Sequence, residues 1–217
     1  LDWLSAEEVE QKGIVILEDY DGLVIPQGWG RRGYEGKIKA IEYCRTHKVP
    51  YLGLCYGMQM AVIEFARNIC GLRGANSEEI NPKTKYPVIH IMPGQEELLA
   101  SNHYGGTIRL GGWPCKLVPG THLARIYAQK FGSEVEIVSE RHRHRYEFNN
   151  DYREILEQHG LTIAGTSPDG QIVEAIELTD HPFFIGTQFH PEYISRPLDP
   201  HPLFVEFVKA CLKIQHL

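Results

Sequence analysis

Apolar runs and amphipathic stretches alternate along the first third of the chain. Residues 21–26 (DGLVIP) and 49–55 (VPYLGLC) are short and almost continuously apolar, which is the pattern of strands buried on both faces. Residues 35–47 and 57–69 instead repeat apolar positions at helical spacing. This order of strand, helix, strand and helix predicts an α/β fold with a mainly parallel twisted sheet flanked by helices.

The rest of the chain consists of a polar middle and a strand-rich end. Residues from about 74 to 120 are rich in Asn, Pro and Gly, and we interpret them as a lid or insertion region over the sheet edge. A last amphipathic stretch predicts a helix over 201–214. The chain starts at LDWLS, which resembles a second strand, so we expect residues 1–217 to form one domain whose first βα unit is absent. Between the middle and the last helix, apolar runs predict short, antiparallel-looking strands at 135–148, 161–167, 172–178 and 183–190.

Composition and charge exclude several classes of partner. The chain has 22 Lys+Arg against 28 Asp+Glu, a formal charge of −6, which argues against nucleic acid or an anionic membrane surface. No apolar run approaches the ~20 residues that a membrane-spanning helix requires. The 5 cysteines include no CxxC pair, which favours free thiols in a reducing cytoplasm.

Two short motifs carry the candidate chemistry. Residues 53–57 (GLCYG) have the form G-x-C-x-G between a predicted strand and a predicted helix, which is the cysteine form of a nucleophile elbow. The helix that follows Cys55 should favour its thiolate through backbone N–H groups and the helix dipole. His190 ends a later apolar run, and Glu192 follows two residues on, where it could orient the imidazole. On the pentapeptide alone, a buried cysteine at a strand end is an equal alternative.

These motifs together resemble those of class I glutamine amidotransferases. The flanking segments are similar to the glutaminase domain of CTP synthases over residues 31–68, 105–111, 140–149 and 186–197. The resemblance implies that Cys55 attacks the side-chain amide of L-glutamine, that His190 transfers the proton, and that Glu192 orients His190. It implies glutamate and ammonia as products, no cofactor for this step, and a glycine-hinged lid at 105–111.

The resemblance also assigns the substrate pocket. It implies that Gly28 and Gln59 line the pocket, that Glu79 pairs with the α-amino group of glutamine, and that Arg145 lies near its α-carboxylate. The residue types agree with this assignment, because a zwitterionic substrate needs one carboxylate and one cation, and Arg suits carboxylates geometrically.

An oxyanion hole is implied as well, formed by the backbone N–H groups of Tyr56 and Gln27. Gln27 stands where the family usually has glycine, and a left-handed conformation would cost it roughly 1–2 kcal/mol. Tyr56, which also borders the substrate, stands where the family commonly has a smaller aliphatic residue. Both departures are expected to weaken catalysis.

The run RHRHR (141–145) alternates in charge and chemistry. In a strand, its three arginines share one face and its two histidines the other. No third ligand lies nearby in sequence, so we expect no metal site and interpret most of the run as polar surface.

The sequence contains no P-loop and no synthetase domain. The resemblance implies that a synthetase domain, with ATP and Mg, uses the ammonia to aminate UTP to CTP, in a full-length enzyme that is a homo-oligomer. One alternative is a catalytically impaired paralogue that acts as a glutamine-binding or regulatory module. Another, a free-standing thiol hydrolase for a different γ-glutamyl compound, is disfavoured because Glu79 and Arg145 both match.

Overall fold

The computed structural model describes residues 1–92 and 109–214. Its strands are β1 (Leu23–Ile25), β2 (Tyr51–Leu54), β3 (Asn76–Ser77), β4 (Pro87–Ile91), β5 (Arg109–Leu117), β6 (Ile137–His144), β7 (Tyr146–Phe148), β8 (Thr162–Thr166), β9 (Val173–Glu177) and β10 (Phe184–Thr187). Its α-helices are α1 (Ala6–Lys12), α2 (Tyr34–His47), α3 (Tyr56–Asn68), α4 (His122–Phe131), α5 (Arg153–Gln158) and α6 (Pro202–Ile214). No helix in these two ranges is long and apolar enough to cross a membrane.

Seven strands form the main sheet, in the order β1-β2-β10-β9-β8-β5-β6. The predicted α/β class, with helices flanking a twisted sheet, is confirmed. The sheet is mixed rather than mainly parallel, because only the β1–β2 and β2–β10 pairs are parallel and the other four pairs are antiparallel. Only residues 167–172 join β8 to β9, which is too short for the crossover that a parallel pair requires.

The sheet separates two hydrophobic cores. Side chains alternate along β2, so that Tyr51 packs with α2 and α3 on one face, whereas Leu52 and Leu54 pack with α4 and α6 on the other. This burial on both faces explains why the strand is a continuous apolar run. Between α2 and α3, the fully buried Glu64 accepts hydrogen bonds from the Arg45 guanidinium, at 2.7 Å for the shortest.

The polar middle of the chain contributes to both sheets. β4 pairs with β3 and with β7 in a separate three-stranded sheet, whereas β5 is a strand of the main sheet. Most of the lid predicted at 105–111 lies outside the described residues. The strand predicted at LDWLS is wrong, because residues 1–5 have no regular structure and α1 follows them.

Gly57 lets the first turn of α3 approach β1 closely. A Cβ atom at Gly57 would lie 2.2 Å from the carbonyl oxygen of Ile25, and backbone cannot yield as a flexible side chain can. We therefore expect Gly57→Ala to lower the free energy of unfolding by about 1–3 kcal/mol, measured by urea denaturation. Gly112→Ala is the control, because its nearest contact is the Ser139 side chain at 3.4 Å. An equal, small effect of both variants would contradict the close-approach argument.

Candidate active site

Cys55 lies in the sharp turn between β2 and α3. Its backbone angles are φ 51° and ψ −96°, and Lys48 is the only other described non-glycine residue with positive φ. Such backbone strain at a non-glycine residue in a strand-to-helix turn is typical of a functional elbow. The Cys55 amide donates a hydrogen bond to the Thr187 carbonyl oxygen of β10, at 2.6 Å, which ties the elbow to the neighbouring strand.

His190 and Glu192 follow β10, at the same sheet edge as Cys55. His190 is 1% exposed, and its Nδ1 lies 2.7 Å from Glu192 Oε1. Because a carboxylate only accepts, Nδ1 carries the proton and Nε2 of the neutral ring is a lone-pair base. Among the described residues His190 Nε2 has no hydrogen-bond partner. The ring also stacks on Tyr193, with centroids 4.7 Å apart, which fixes its plane.

Burial dominates the electrostatics of Cys55. It raises the pKa of the Cys55 thiol to about 12, and the negative charge of Glu192 adds to this effect. The Tyr56 N–H and the Gln188 amide lower the pKa, but by less. The expected thiolate, stabilised by the helix terminus, is therefore wrong for the resting site: at neutral pH Cys55 is a thiol and needs a base during attack.

Gln188 contacts Cys55, although the sequence interpretation did not include it. Its Nε2 donates to Cys55 Sγ at 3.4 Å, and its Oε1 accepts from Gln59 Nε2 at 3.2 Å. Gln59 also donates to the Tyr146 carbonyl oxygen, at 2.8 Å, so it supports Gln188 from behind. The signal in the sequence was the spacing of two between Gln188 and His190, which puts both side chains on one face of an extended segment.

Glu79 and Arg145 provide opposite charges near each other. Glu79 follows β3 and is half-buried, which raises the pKa of its carboxyl group. The Gly30 N–H and the positive charge of Arg145 lower that pKa. Arg145 lies at the bend between β6 and β7, where the strand alternation is interrupted. A carboxylate and a guanidinium in one place suit a zwitterionic amino acid.

Gln27 and Tyr56, the two residues that depart from the family pattern, lie in the loop between β1 and α2 and at the start of α3. Gln27 is exposed and does not have the left-handed conformation whose cost was expected, since its φ is not positive. Tyr56 is buried, and a Cβ atom at Gly28 would lie 3.5 Å from its ring. The Tyr56 hydroxyl donates to the carbonyl oxygen of Gly30 at 2.5 Å.

The two histidines of the RHRHR run are buried, whereas Arg141 and Arg143 are exposed as expected. Polar surface was therefore the wrong interpretation for the histidines. His142 Nε2 lies 2.8 Å from Glu174 Oε2, which compensates the burial of both groups. In the described ranges, no group of three His, Cys, Asp or Glu residues has the arrangement of a metal site.

Comparisons with known proteins identify the family. The family model for "glutamine amidotransferase class-I" matches residues 2–210. A CTP synthase from Caldanaerobacter subterraneus subsp. tengcongensis is 56% identical over 98% of the chain, and one from Carboxydothermus hydrogenoformans is 56% identical over 99%. The chain spans only 38% and 39% of the length of these two relatives.

Solved structures give the same result. The glutaminase domain of Trypanosoma brucei CTPS with bound acivicin has a TM-score of 0.88 at 37% identity, covering 98% of this chain and 80% of that chain. A putative GMP synthase component from Thermoplasma acidophilum has a TM-score of 0.59 at 18% identity, covering 98% and 79% of the two chains, which is a likeness of fold alone.

The thiols should react in an order that depends on the reagent. Cys70 and Cys211 are half-buried, whereas Cys55 is buried, which raises the pKa of its thiol to about 12. We therefore expect iodoacetamide to alkylate these two before Cys55, because it reacts with accessible thiolate. A diazoketone analogue of glutamine should instead label Cys55 first, because the pocket holds it there. Peptide mass spectrometry reads both orders, and diazoketone labelling of Cys70 or Cys211 ahead of Cys55 would contradict the site.

Proposed function

The chain belongs to the class I glutamine amidotransferase family, and we propose that it hydrolyses glutamine to glutamate and ammonia. The observation that carries the proposal is the His190–Glu192 pair, which leaves His190 Nε2 open at the sheet edge where the strained Cys55 elbow lies. Cys55, His190 and Glu192 would supply the nucleophile, the base and the orienting carboxylate that acyl transfer requires.

In the first half-reaction, Cys55 Sγ attacks the amide carbon of glutamine, and His190 Nε2 takes the thiol proton. A base is needed at that moment, because burial keeps Cys55 protonated at rest by raising the pKa of its thiol. Glu192 stabilises the imidazolium that forms. The tetrahedral intermediate then expels ammonia, which receives the proton from His190, and a glutamyl thioester remains.

In the second half-reaction, His190 takes a proton from water, and the oxygen attacks the thioester. Collapse of the second intermediate returns the proton to Cys55 Sγ and releases glutamate, so the enzyme is regenerated without a cofactor. The backbone N–H groups of Tyr56 and Gln27 are the proposed donors to the oxyanion in both halves.

Recognition of the substrate is proposed to depend on Glu79 and Arg145. The Glu79 carboxylate would bind the α-ammonium group, and the Arg145 guanidinium the α-carboxylate. Gly28 and Gln59 complete the proposed pocket, Gln59 through its hydrogen bond to Gln188.

The fate of the ammonia is proposed from the relatives. The similar curated proteins are named CTP synthase and are more than twice as long as this chain. We propose that residues 1–217 are the glutaminase domain and that ammonia passes to a synthetase domain, which would bind ATP and Mg and aminate UTP in a homo-oligomer.

The proposed location of the protein is the cytoplasm. All five cysteines are free, which supports a reducing compartment.

A catalytically impaired module is the less favoured alternative. Its main support was the cost of a left-handed glutamine in the oxyanion turn, and Gln27 does not have a positive φ. The backbone of Gln27 therefore carries no left-handed strain that a glycine at this position would avoid.

Removal of the base should lower turnover strongly. We expect His190→Ala to lower kcat by about 10²–10⁴-fold, because His190 moves a proton in both half-reactions. Glu192→Gln should lower kcat less, since the oxygen of a glutamine side chain can still accept a hydrogen bond from the Nδ1–H group of His190. Release of ammonia is the measurement, and His159→Ala, at an exposed histidine, is the control. Parent-level activity of His190→Ala would refute the proposed mechanism.

Arg145 should act on binding rather than on chemistry. We expect Arg145→Ala to raise the KM for glutamine by about 10- to 100-fold, because the α-carboxylate loses a charge-assisted hydrogen bond. The exposed neighbour Arg143 gives the matched control, and Arg143→Ala should leave KM unchanged. A loss confined to kcat in Arg145→Ala would contradict this role.

A further inference from the structure

Gly30 is held on both sides of its Cα atom. Its N–H donates to Glu79 Oε1 at 3.2 Å, and its carbonyl oxygen accepts from the Tyr56 hydroxyl at 2.5 Å. Its φ of 73° lies in the left-handed region, where glycine is favoured. The two hydrogen bonds therefore fix both peptide groups of a residue that is otherwise free to change conformation.

These two bonds connect the proposed substrate pocket to the proposed oxyanion hole. Glu79 is the carboxylate proposed for the α-ammonium group, whereas Tyr56 supplies one proposed oxyanion donor. Gln27, the other proposed donor, lies on the same loop as Gly30, between β1 and α2. A Cβ atom added at Gly28 would lie 3.5 Å from the Tyr56 ring, so the ring also lies beside this part of the loop.

Burial shifts the pKa of the group at each end of this connection, Tyr56 and Glu79. Burial raises the pKa of Tyr56, and the Glu79 charge raises it further. The Tyr56 hydroxyl therefore stays protonated and can donate its hydrogen bond. Burial also raises the pKa of Glu79. An ammonium group beside Glu79 would lower that pKa again, so the substrate would act on the same carboxylate that accepts the Gly30 N–H.

We propose that the connection Glu79–Gly30–Tyr56 couples recognition of the substrate's α-ammonium group to alignment of the oxyanion donors. The Tyr56 hydroxyl is then a positioning group, distinct from the Tyr56 N–H that faces the reaction. The inference rests on the proposed glutaminase function. It means that a substrate without the α-ammonium group is turned over slowly even when it is bound, because its binding does not act on the Glu79–Gly30 hydrogen bond.

The test compares two substrates in two proteins. Glutaramate is glutamine without its α-amino group, and Tyr56→Phe removes the hydroxyl while it keeps the N–H and the ring. In the parent chain we expect kcat for glutaramate to be about tenfold below kcat for glutamine. In Tyr56→Phe we expect kcat for glutamine to fall about tenfold. The ratio of kcat for glutamine to kcat for glutaramate should then approach one, because the hydrogen bond that connects Tyr56 to Gly30, and so to Glu79, is lost.

Damage to the fold alone would lower kcat for both substrates by the same factor, and so would leave the ratio unchanged. Tyr127→Phe is the matched control, since it removes another buried hydroxyl, one that donates to Glu140 at 2.6 Å. It should keep the parent ratio. If Tyr56→Phe does not fold, Gly30→Ala replaces it, because no atom lies within 4 Å of the added Cβ and only the backbone angle is disturbed.

The outcomes separate this inference from the proposed function. If the parent chain releases no ammonia from glutamine in a Cys55-dependent reaction, the proposed function fails, and the coupling fails with it. If the parent is active but the substrate ratio is the same in Tyr56→Phe, or in Gly30→Ala where that variant is used, only the coupling is overturned.

Discussion

The parallel pairing of β2 with β10 is the contact on which the rest of the site depends. Its register sets Leu54 beside Thr187, and the Cys55 amide continues the ladder by donating to the Thr187 carbonyl oxygen. In a parallel pair both carboxyl ends reach the same edge of the sheet, so the elbow and the segment from Gln188 to His190 meet there. Backbone hydrogen bonds thus bring together residues that lie far apart in the sequence.

Burial at this edge decides the charge state of each group. The carboxylate of Glu192 orients His190, but its charge also opposes ionisation of Cys55. A site that stabilised the thiolate at rest would need less help from His190. In the proposed mechanism the site instead depends on a correctly oriented imidazole, and both the Glu192 contact and the Tyr193 stack constrain that ring.

The sequence predicted the features that depend on local pattern. Helices α2 and α3 follow from helical periodicity, and the elbow follows from glycines on both sides of a cysteine between a strand and a helix. The place of β5 in the main sheet was missed because its two glycines and one proline are typical of a loop, whereas pairing with β6 makes it a strand. The raised pKa of Cys55 could not be predicted, since it depends on burial by residues distant in sequence.

The buried, protonated state of Cys55 has a consequence for oxidative stress. Peroxides oxidise thiolates rather than thiols, and with a thiol pKa of about 12 only a minute fraction of Cys55 is thiolate at neutral pH. Cys70 and Cys211, which are more accessible and have a thiol pKa of about 11, meet an oxidant first, and neither is part of the site. Burial should therefore slow the oxidation of Cys55 to the sulfinic and sulfonic acids, which are irreversible.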